Sequence, residues 1–159
     1  MTVPDNLPFN IVLVEPEIPP NTGNIARLCA ATGAVLHLVE PLGFSIDDRQ
    51  LKRAGLDYWS SVDVRLWQGL DLIHLAFPQG RFFYLSTKAT RSYLAAEFQE
   101  GDFIVFGKET KGLPSEVISA NPDTAITIPM PADAVRSLNL STSAGIVLYE
   151  ALRQTGRIV

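Results

Sequence analysis

Three stretches of this 159-residue chain bring anion-binding, hydrogen-bonding and backbone-permissive residues together at spacings that suit a binding site. The first runs Pro16-Glu17-Ile18-Pro19-Pro20-Asn21-Thr22-Gly23-Asn24-Ile25-Ala26-Arg27. Its prolines stiffen the backbone, and Gly23 permits close approach of a ligand. The stretch opens a helix, whose unpaired N–H groups and positive dipole end attract anions. Asn21, Asn24 and Arg27 recur every three residues, which places them near one another at the helix entrance. A phosphate or a ribose suits such a site; a plain capped helix with a surface arginine is the alternative.

The second stretch, Phe106-Gly107-Lys108-Glu109-Thr110-Lys111-Gly112-Leu113-Pro114, offers backbone amides, two lysines and one carboxylate. It follows a strand, and open α/β sheets bind ligands at strand ends. Leu113-Pro114 stands where a Walker A loop carries Lys-Ser/Thr, and G-x-G-x-x-G is absent from the chain, so neither nucleotide fingerprint applies. A surface turn is the competing reading. The third stretch joins Ile128-Pro129-Met130 to Arg136-Ser137-Leu138-Asn139-Leu140-Ser141. Ser137, Asn139 and Ser141 could cap a helix or bind a ligand, and Arg136 could hold an anion. Asn139-Leu140-Ser141 matches a glycosylation sequon, but no secretory signal accompanies it.

Other chemistries find little support. His37 and His74 sit in apolar runs and read as core or edge histidines. One cysteine, Cys29, and no H-x-x-x-H argue against zinc, and no metal is expected. Ser141 and Ser143 lack a G-x-S-x-G elbow, which disfavours a serine hydrolase.

Short apolar runs must position these stretches. Phe9–Val14, Val35–Val39, Val62–Leu66, Phe82–Ser86, Phe103–Phe106 and Ala125–Ile128 read as strands covered on both faces. Helices fall between them, at Asn24–Thr32 capped by Asn21 or Thr22 and stopped by Gly33, and at Asp47–Ala54, Gln68–Phe77, Ser115–Ala120 and Leu138–Gln154. The alternation predicts one α/β domain over residues 1–159, with a mostly parallel six-stranded sheet and helices on both faces. In the last helix Leu140, Ala144, Val147, Leu148 and Ala151 share one face, and Ile146, Tyr149 and Leu152 another. Burial on both sides favours a homodimer over a central core helix.

Composition bounds the partners. With 13 Lys+Arg against 17 Asp+Glu, the net charge is −4, and the pI is near 5.1. A hydrophobic fraction of 47% supports a folded core rather than disorder. No signal peptide or membrane-spanning run is evident, and the single cysteine fits a reducing cytosol, so a cytoplasmic protein without a membrane partner is expected. The acidic total speaks at first against nucleic acid. Locally the bases gather: Arg27, Lys108, Lys111 and Arg136 in the three stretches, and Arg49, Lys52, Arg53, Lys88 and Arg91 in two further clusters. A local positive surface on an acidic protein can still hold an RNA stem or loop.

In order, these stretches resemble the SPOUT class of S-adenosylmethionine-dependent RNA methyltransferases, and within it the single-domain tRNA ribose methyltransferases that act at the wobble nucleotide. The match is carried by Glu15 through Asn24 with Arg27-Leu28-Cys29-Ala30, by Phe106-Gly107-Lys108-Glu109-Thr110 with Gly112-Leu113-Pro114, and by Ile128-Pro129-Met130 with Arg136 through Ser141 and Tyr149-Glu150-Ala151. Gly43-Phe44 and Arg53-Ala54-Gly55-Leu56-Asp57-Tyr58 add to it; the Met130–Arg136 connection is slightly longer than the usual form. The resemblance implies a C-terminal deep trefoil knot, an obligate homodimer with a site built from both subunits, and 2′-O-methylation of cytidine or modified uridine at tRNA position 34. Another tRNA or rRNA ribose, or a non-catalytic RNA-binding dimer, are the alternatives. It places S-adenosyl-L-methionine against Leu85, Gly107, Ile128 and Ser137, with Gly112 and Leu138 nearby. Arg27, Glu109 and Asn139 are then the catalytic candidates. Asn21, Asn24, Lys52, Arg53, Lys108 and Arg136 are those for the tRNA anticodon stem-loop.

Overall fold

Side-chain alternation along the central strands divides the core into two layers. The computed structural model describes residues 7–47, 49, 51, 53 and 59–158. Its strands are β1 (Asn10–Val14), β2 (Val35–Val39), β3 (Val64–Trp67), β4 (Phe82–Leu85), β5 (Arg91–Ser92), β6 (Phe103–Phe106) and β7 (Ala125–Thr127). They form one sheet in the order β3-β2-β1-β6-β4-β7-β5, and each described pair is parallel. On one face Ile11, Leu13, Leu36, Leu38, Ile104 and Phe106 pack against two helices, α1 (Pro19–Thr32) and α4 (Leu140–Gln154). On the other, Val12, Val14, Val39, Tyr84, Phe103 and Val105 meet α2 (Leu70–Ala76) and α3 (Ser115–Ala120). Helices on both faces explain why the strands read as unbroken apolar runs.

The sheet has seven strands rather than the expected six. β5 is two polar residues long and pairs with β7 at the sheet edge, so it carries no apolar run to betray it. At the opposite edge β3 is only half covered, and Leu66 stays 48% exposed.

Helix starts also differ from expectation. α1 begins at Pro19, five residues before Asn24, with Ile18 rather than Asn21 or Thr22 as N-cap. Proline in the first turn loses no intrahelical hydrogen bond and has φ already set for a helix. Gly33 ends the helix at φ 76°, donating its N–H to the Cys29 carbonyl at 2.8 Å. Of the helix expected over Asp47–Ala54, Arg49, Leu51 and Arg53 are helical and Leu51 is buried. The candidate Lys52 and the stretch Ala54-Gly55-Leu56-Asp57-Tyr58 lie outside the described residues. In α4, Leu152 turns inward with Ala144, Val147, Leu148 and Ala151. The outer apolar face therefore reduces to half-buried Ile146 and exposed Tyr149.

Both histidines belong to packing networks. His37 is fully buried; Trp67 donates Nε1–H to its Nδ1 at 3.0 Å, which leaves the proton on Nε2 to be donated to Asn10 Oδ1 at 2.9 Å. Burial pushes its pKa down to about 4. His74 Nε2 pairs with the Tyr84 hydroxyl at 2.9 Å. Among the described residues, no group of three or more His, Cys, Asp or Glu could hold a metal ion. No helix there is long and apolar enough to cross a membrane.

Candidate active site

The C-terminal ends of β4, β6 and β7 open onto a cleft of about 450 Å3. Its walls come from all three polar stretches and from Leu85-Ser86-Thr87-Lys88 beyond β4. Such a volume lies in the range of small-ligand sites.

The loop after β6 turns back on itself. Gly112 donates its N–H to the Lys108 carbonyl at 2.8 Å, and the two residues form an isolated antiparallel bridge. Gly112 adopts φ 68°, a conformation that favours glycine. Gly107 faces the returning strand so closely that a β-carbon there would lie 2.1 Å from the Leu113 nitrogen.

Two carboxylates fasten this turn to the loop after β1. Glu109 Oε1 accepts from the Glu17 N–H at 2.9 Å; its Oε2 accepts from the Ile18 N–H at 2.7 Å and from Asn21 Nδ2 at 3.2 Å. It thereby places negative charge at the start of α1, where the helix dipole is positive, and serves donors that no side-chain cap meets. In return, Glu17 Oε1 accepts from the Thr110 N–H at 3.0 Å and the Thr110 hydroxyl at 2.7 Å. Those two bonds, the hydroxyl's first, hold the Glu17 pKa below the usual carboxylate range, assisted by Lys108 and Lys111. Gly43 braces the first loop from behind: its N–H bonds the Pro16 carbonyl at 2.9 Å.

Asn139 ties in the third stretch. Its Oδ1 accepts from the Thr142 N–H at 3.1 Å, capping α4, and from the Ser141 hydroxyl at 2.6 Å. Its Nδ2 donates to Asn21 Oδ1 at 3.0 Å. Glu109, Asn21 and Asn139 thus form one hydrogen-bonded chain across three segments.

Leu85, Gly107, Gly112, Ile128, Ser137 and Leu138 all line the cleft, as do Asn21, Lys108, Glu109, Arg136 and Asn139. Asn24, Arg27 and Arg53 do not line it. Three-residue spacing on a helix advances by 300°, so Asn21 is buried beside the cleft while Asn24 and Arg27 lie on the exposed side of α1. Glu17, Thr110 and Met130 were not among the site candidates, and Lys88, expected only in a local basic cluster, lines the cleft. Glu17 and Thr110 lie inside the recognised stretches, but they are 93 positions apart and only the fold pairs them.

The residues fit a cofactor that is part apolar and part charged. Leu85, Phe106, Leu113, Ile128 and Leu138 supply apolar walls, while Lys88, Lys108, Lys111 and Arg136 bring cations to the same cleft. Both oxygens of its carboxylate Glu109 are already engaged with the first loop. Against known proteins, the chain is 52% identical over 147 residues to the tRNA (cytidine(34)-2′-O)-methyltransferase of Methylovorus glucosotrophus, covering 92% of this chain and 95% of the relative. A solved structure concerned with the 2-OH methylation of C/U34 on tRNA superposes with a TM-score of 0.87 at 48% identity, covering 92% and 95% of the two chains. The fold extends to AviRb, a SpoU methyltransferase of Streptomyces viridochromogenes solved with AdoMet, at a TM-score of 0.83 and 22% identity over 96% of this chain and 59% of that one. The model of the SpoU rRNA Methylase family matches residues 8–149, which spans every strand and all three wall-forming stretches, and this chain belongs to that family.

Proposed function

We propose that this protein transfers a methyl group from S-adenosyl-L-methionine to the ribose 2′-oxygen of the wobble nucleotide, cytidine or modified uridine 34, in the anticodon stem-loop of tRNA. The observation that carries the proposal is the single cleft into which three sequence-distant stretches converge, apolar within and lined with Lys88, Lys108, Lys111 and Arg136. The names of near-full-length relatives support the substrate.

When bound, the cofactor supplies a methyl group already activated on a sulfonium, so the protein's task is chiefly placement. Leu85, Gly107, Gly112, Ile128, Ser137 and Leu138 would hold it within the cleft. Lys108, Arg136 and Asn21 bind the RNA, together with Asn24, Lys52 and Arg53. Asn139 orients Asn21, whose other amide bond goes to Glu109. Glu109 acts as an anchor rather than as a base, because both its oxygens already accept hydrogen bonds from the first loop.

Arg27 completes the site from a second copy of the chain. It stands on the exposed side of α1, off its own cleft, and α1 packs beside α4, which presents Ile146 and Tyr149 outward. Two copies meeting through these helices form the homodimer, and each Arg27 holds the phosphate next to the target ribose in its partner's cleft. A guanidinium with a pKa above about 12 is suited to that task and poorly suited to proton abstraction. The knotted C-terminal threading of the SPOUT class belongs to the same proposal.

The test is direct. The pure protein is incubated with isotopically labelled S-adenosyl-L-methionine and undermodified tRNA, and the methylated ribose is mapped by nuclease digestion and mass spectrometry. Label at position 34 is expected; label at another ribose, or cofactor binding without any transfer, overturns the assignment. Arg27→Ala is expected to abolish transfer while leaving cofactor binding nearly intact.

A further inference from the structure

Glu17 lies at the edge of the site and does not line the cleft, yet its carboxylate makes two bonds from the first stretch to the second. One oxygen, Oε1, takes both Thr110 donors, the N–H at 3.0 Å and the hydroxyl at 2.7 Å. The backbone N–H of the same residue is gripped by Glu109, the neighbour of Thr110. The two loops therefore exchange carboxylates, each accepting from the other's backbone. Charge-assisted bonds of this kind are roughly twice as strong as neutral ones. Glu17 is also fixed from behind, because Gly43 packs so closely that a β-carbon there would lie 2.8 Å from the Glu17 Cα.

We propose that Glu17 is a positioning residue for methyl transfer: through Thr110 it holds Glu109, and through Glu109 the Asn21–Asn139 pair, in the arrangement that receives the ribose. The proposal rests on the methyltransferase reading above. Without the Glu17 carboxylate the outer arm of the turn loses one of its two ties and hangs on Glu109 alone. The base of the turn keeps its own bond from the Gly112 N–H to the Lys108 carbonyl. The cofactor wall at Gly107 and Gly112 then persists, while Glu109 and the asparagines lose their register. Displacements near 1 Å at such positions lower turnover on the order of a hundredfold.

Four proteins test this: wild type, Glu17→Ala, Glu17→Gln and Thr110→Val. Turnover of undermodified tRNA is measured at saturating cofactor, cofactor affinity by calorimetry, and exchange of the Thr110 and Ile18 amide hydrogens by NMR. Glu17→Ala is expected to lower kcat by about tenfold or more, with cofactor Kd within about threefold of wild type, and to speed both amides. Glu17→Gln keeps an oxygen that accepts both Thr110 donors, so kcat and amide protection return close to wild type. Thr110→Val, which retains the N–H, falls between. Wild-type kcat in Glu17→Ala overturns the proposal, as does a Glu17→Gln variant as slow as the alanine, which would assign the effect to charge alone. If Glu17→Ala does not fold, wild-type kcat in Thr110→Val overturns it instead. Should the wild type transfer no methyl to any tRNA, the substrate reading fails, while amide exchange still decides whether Glu17 holds the clasp.

Discussion

A β-carbon at position 107 would lie 2.1 Å from both the Gly112 carbonyl carbon and the Leu113 nitrogen, and only backbone movement could relieve that contact. Gly107→Ala is therefore expected to open the turn and to weaken cofactor binding by about tenfold or more, equivalent to at least ~1.4 kcal/mol. Calorimetric titration with S-adenosyl-L-methionine checks it; an unchanged Kd would show that the turn does not shape the cofactor wall. Asn139 permits a finer dissection, because its two amide atoms have separate partners. Asn139→Ala removes the cap of α4 at a cost of about 1 kcal/mol and also the bond to Asn21. Asn139→Asp keeps the capping oxygen but loses the donor. The aspartate variant is expected to melt close to wild type yet turn over as slowly as the alanine. Equal turnover in Asn139→Asp and wild type would remove Asn21 orientation from the role of this residue.

Secondary-structure elements were legible where one local signal decided them. β2 and β6 coincide with their apolar runs, and Gly33 ends α1 as its backbone freedom suggests. β5 was not legible, since two polar residues pair only because β7 lies beside them. The start of α1 was missed for a similar reason: the N–H groups of Glu17 and Ile18 just ahead of it are met by Glu109, 91 positions from Ile18, and no local side-chain cap announces it. The candidate site divides in the same way. Its glycines and asparagines stood out by type and spacing, whereas the Glu17–Thr110 pair existed only once β1 and β6 lay side by side. His37 illustrates a cross-strand feature with a measurable consequence, linking β1, β2 and β3 through Asn10 and Trp67. In the unfolded chain it protonates near 6.5, and in the fold only near 4. Between these values the unfolded state binds the extra proton. This contribution to stability is therefore complete above about pH 6.5 and drains away as the pH falls toward 4, by up to ~3 kcal/mol. Denaturant unfolding at stepped pH, alongside NMR titration of the His37 ring, tests the sign; a ring that titrates near 6.5 in the folded protein would refute it.

At the scale of the whole molecule, a net charge of −4 limits nothing locally, because Lys88, Lys108, Lys111 and Arg136 converge on one cleft. The same cleft lacks Arg27 among its lining residues, and this separation makes the two-subunit site testable without further structure. On the dimer proposal, each site combines one chain's cleft with its partner's Arg27. A chain carrying Arg27→Ala keeps a sound cleft, and a chain carrying Gly107→Ala keeps a sound arginine. Each variant alone forms dimers with no complete site. In a mixed dimer the Arg27→Ala cleft meets an intact partner arginine, and one site of the two is restored. After equal amounts are unfolded together and refolded, random pairing through a two-fold interface makes about half the dimers mixed. Methylation should therefore return to about a quarter of the wild-type level per chain, given one restored site in half of the dimers. Adding Tyr149→Glu to both chains places charge on the outer face of α4, which should yield monomers by sedimentation and abolish the recovery. If Arg27 instead served its own chain's cleft, each chain of a mixed dimer would carry its own single defect, and refolding the variants together would restore nothing.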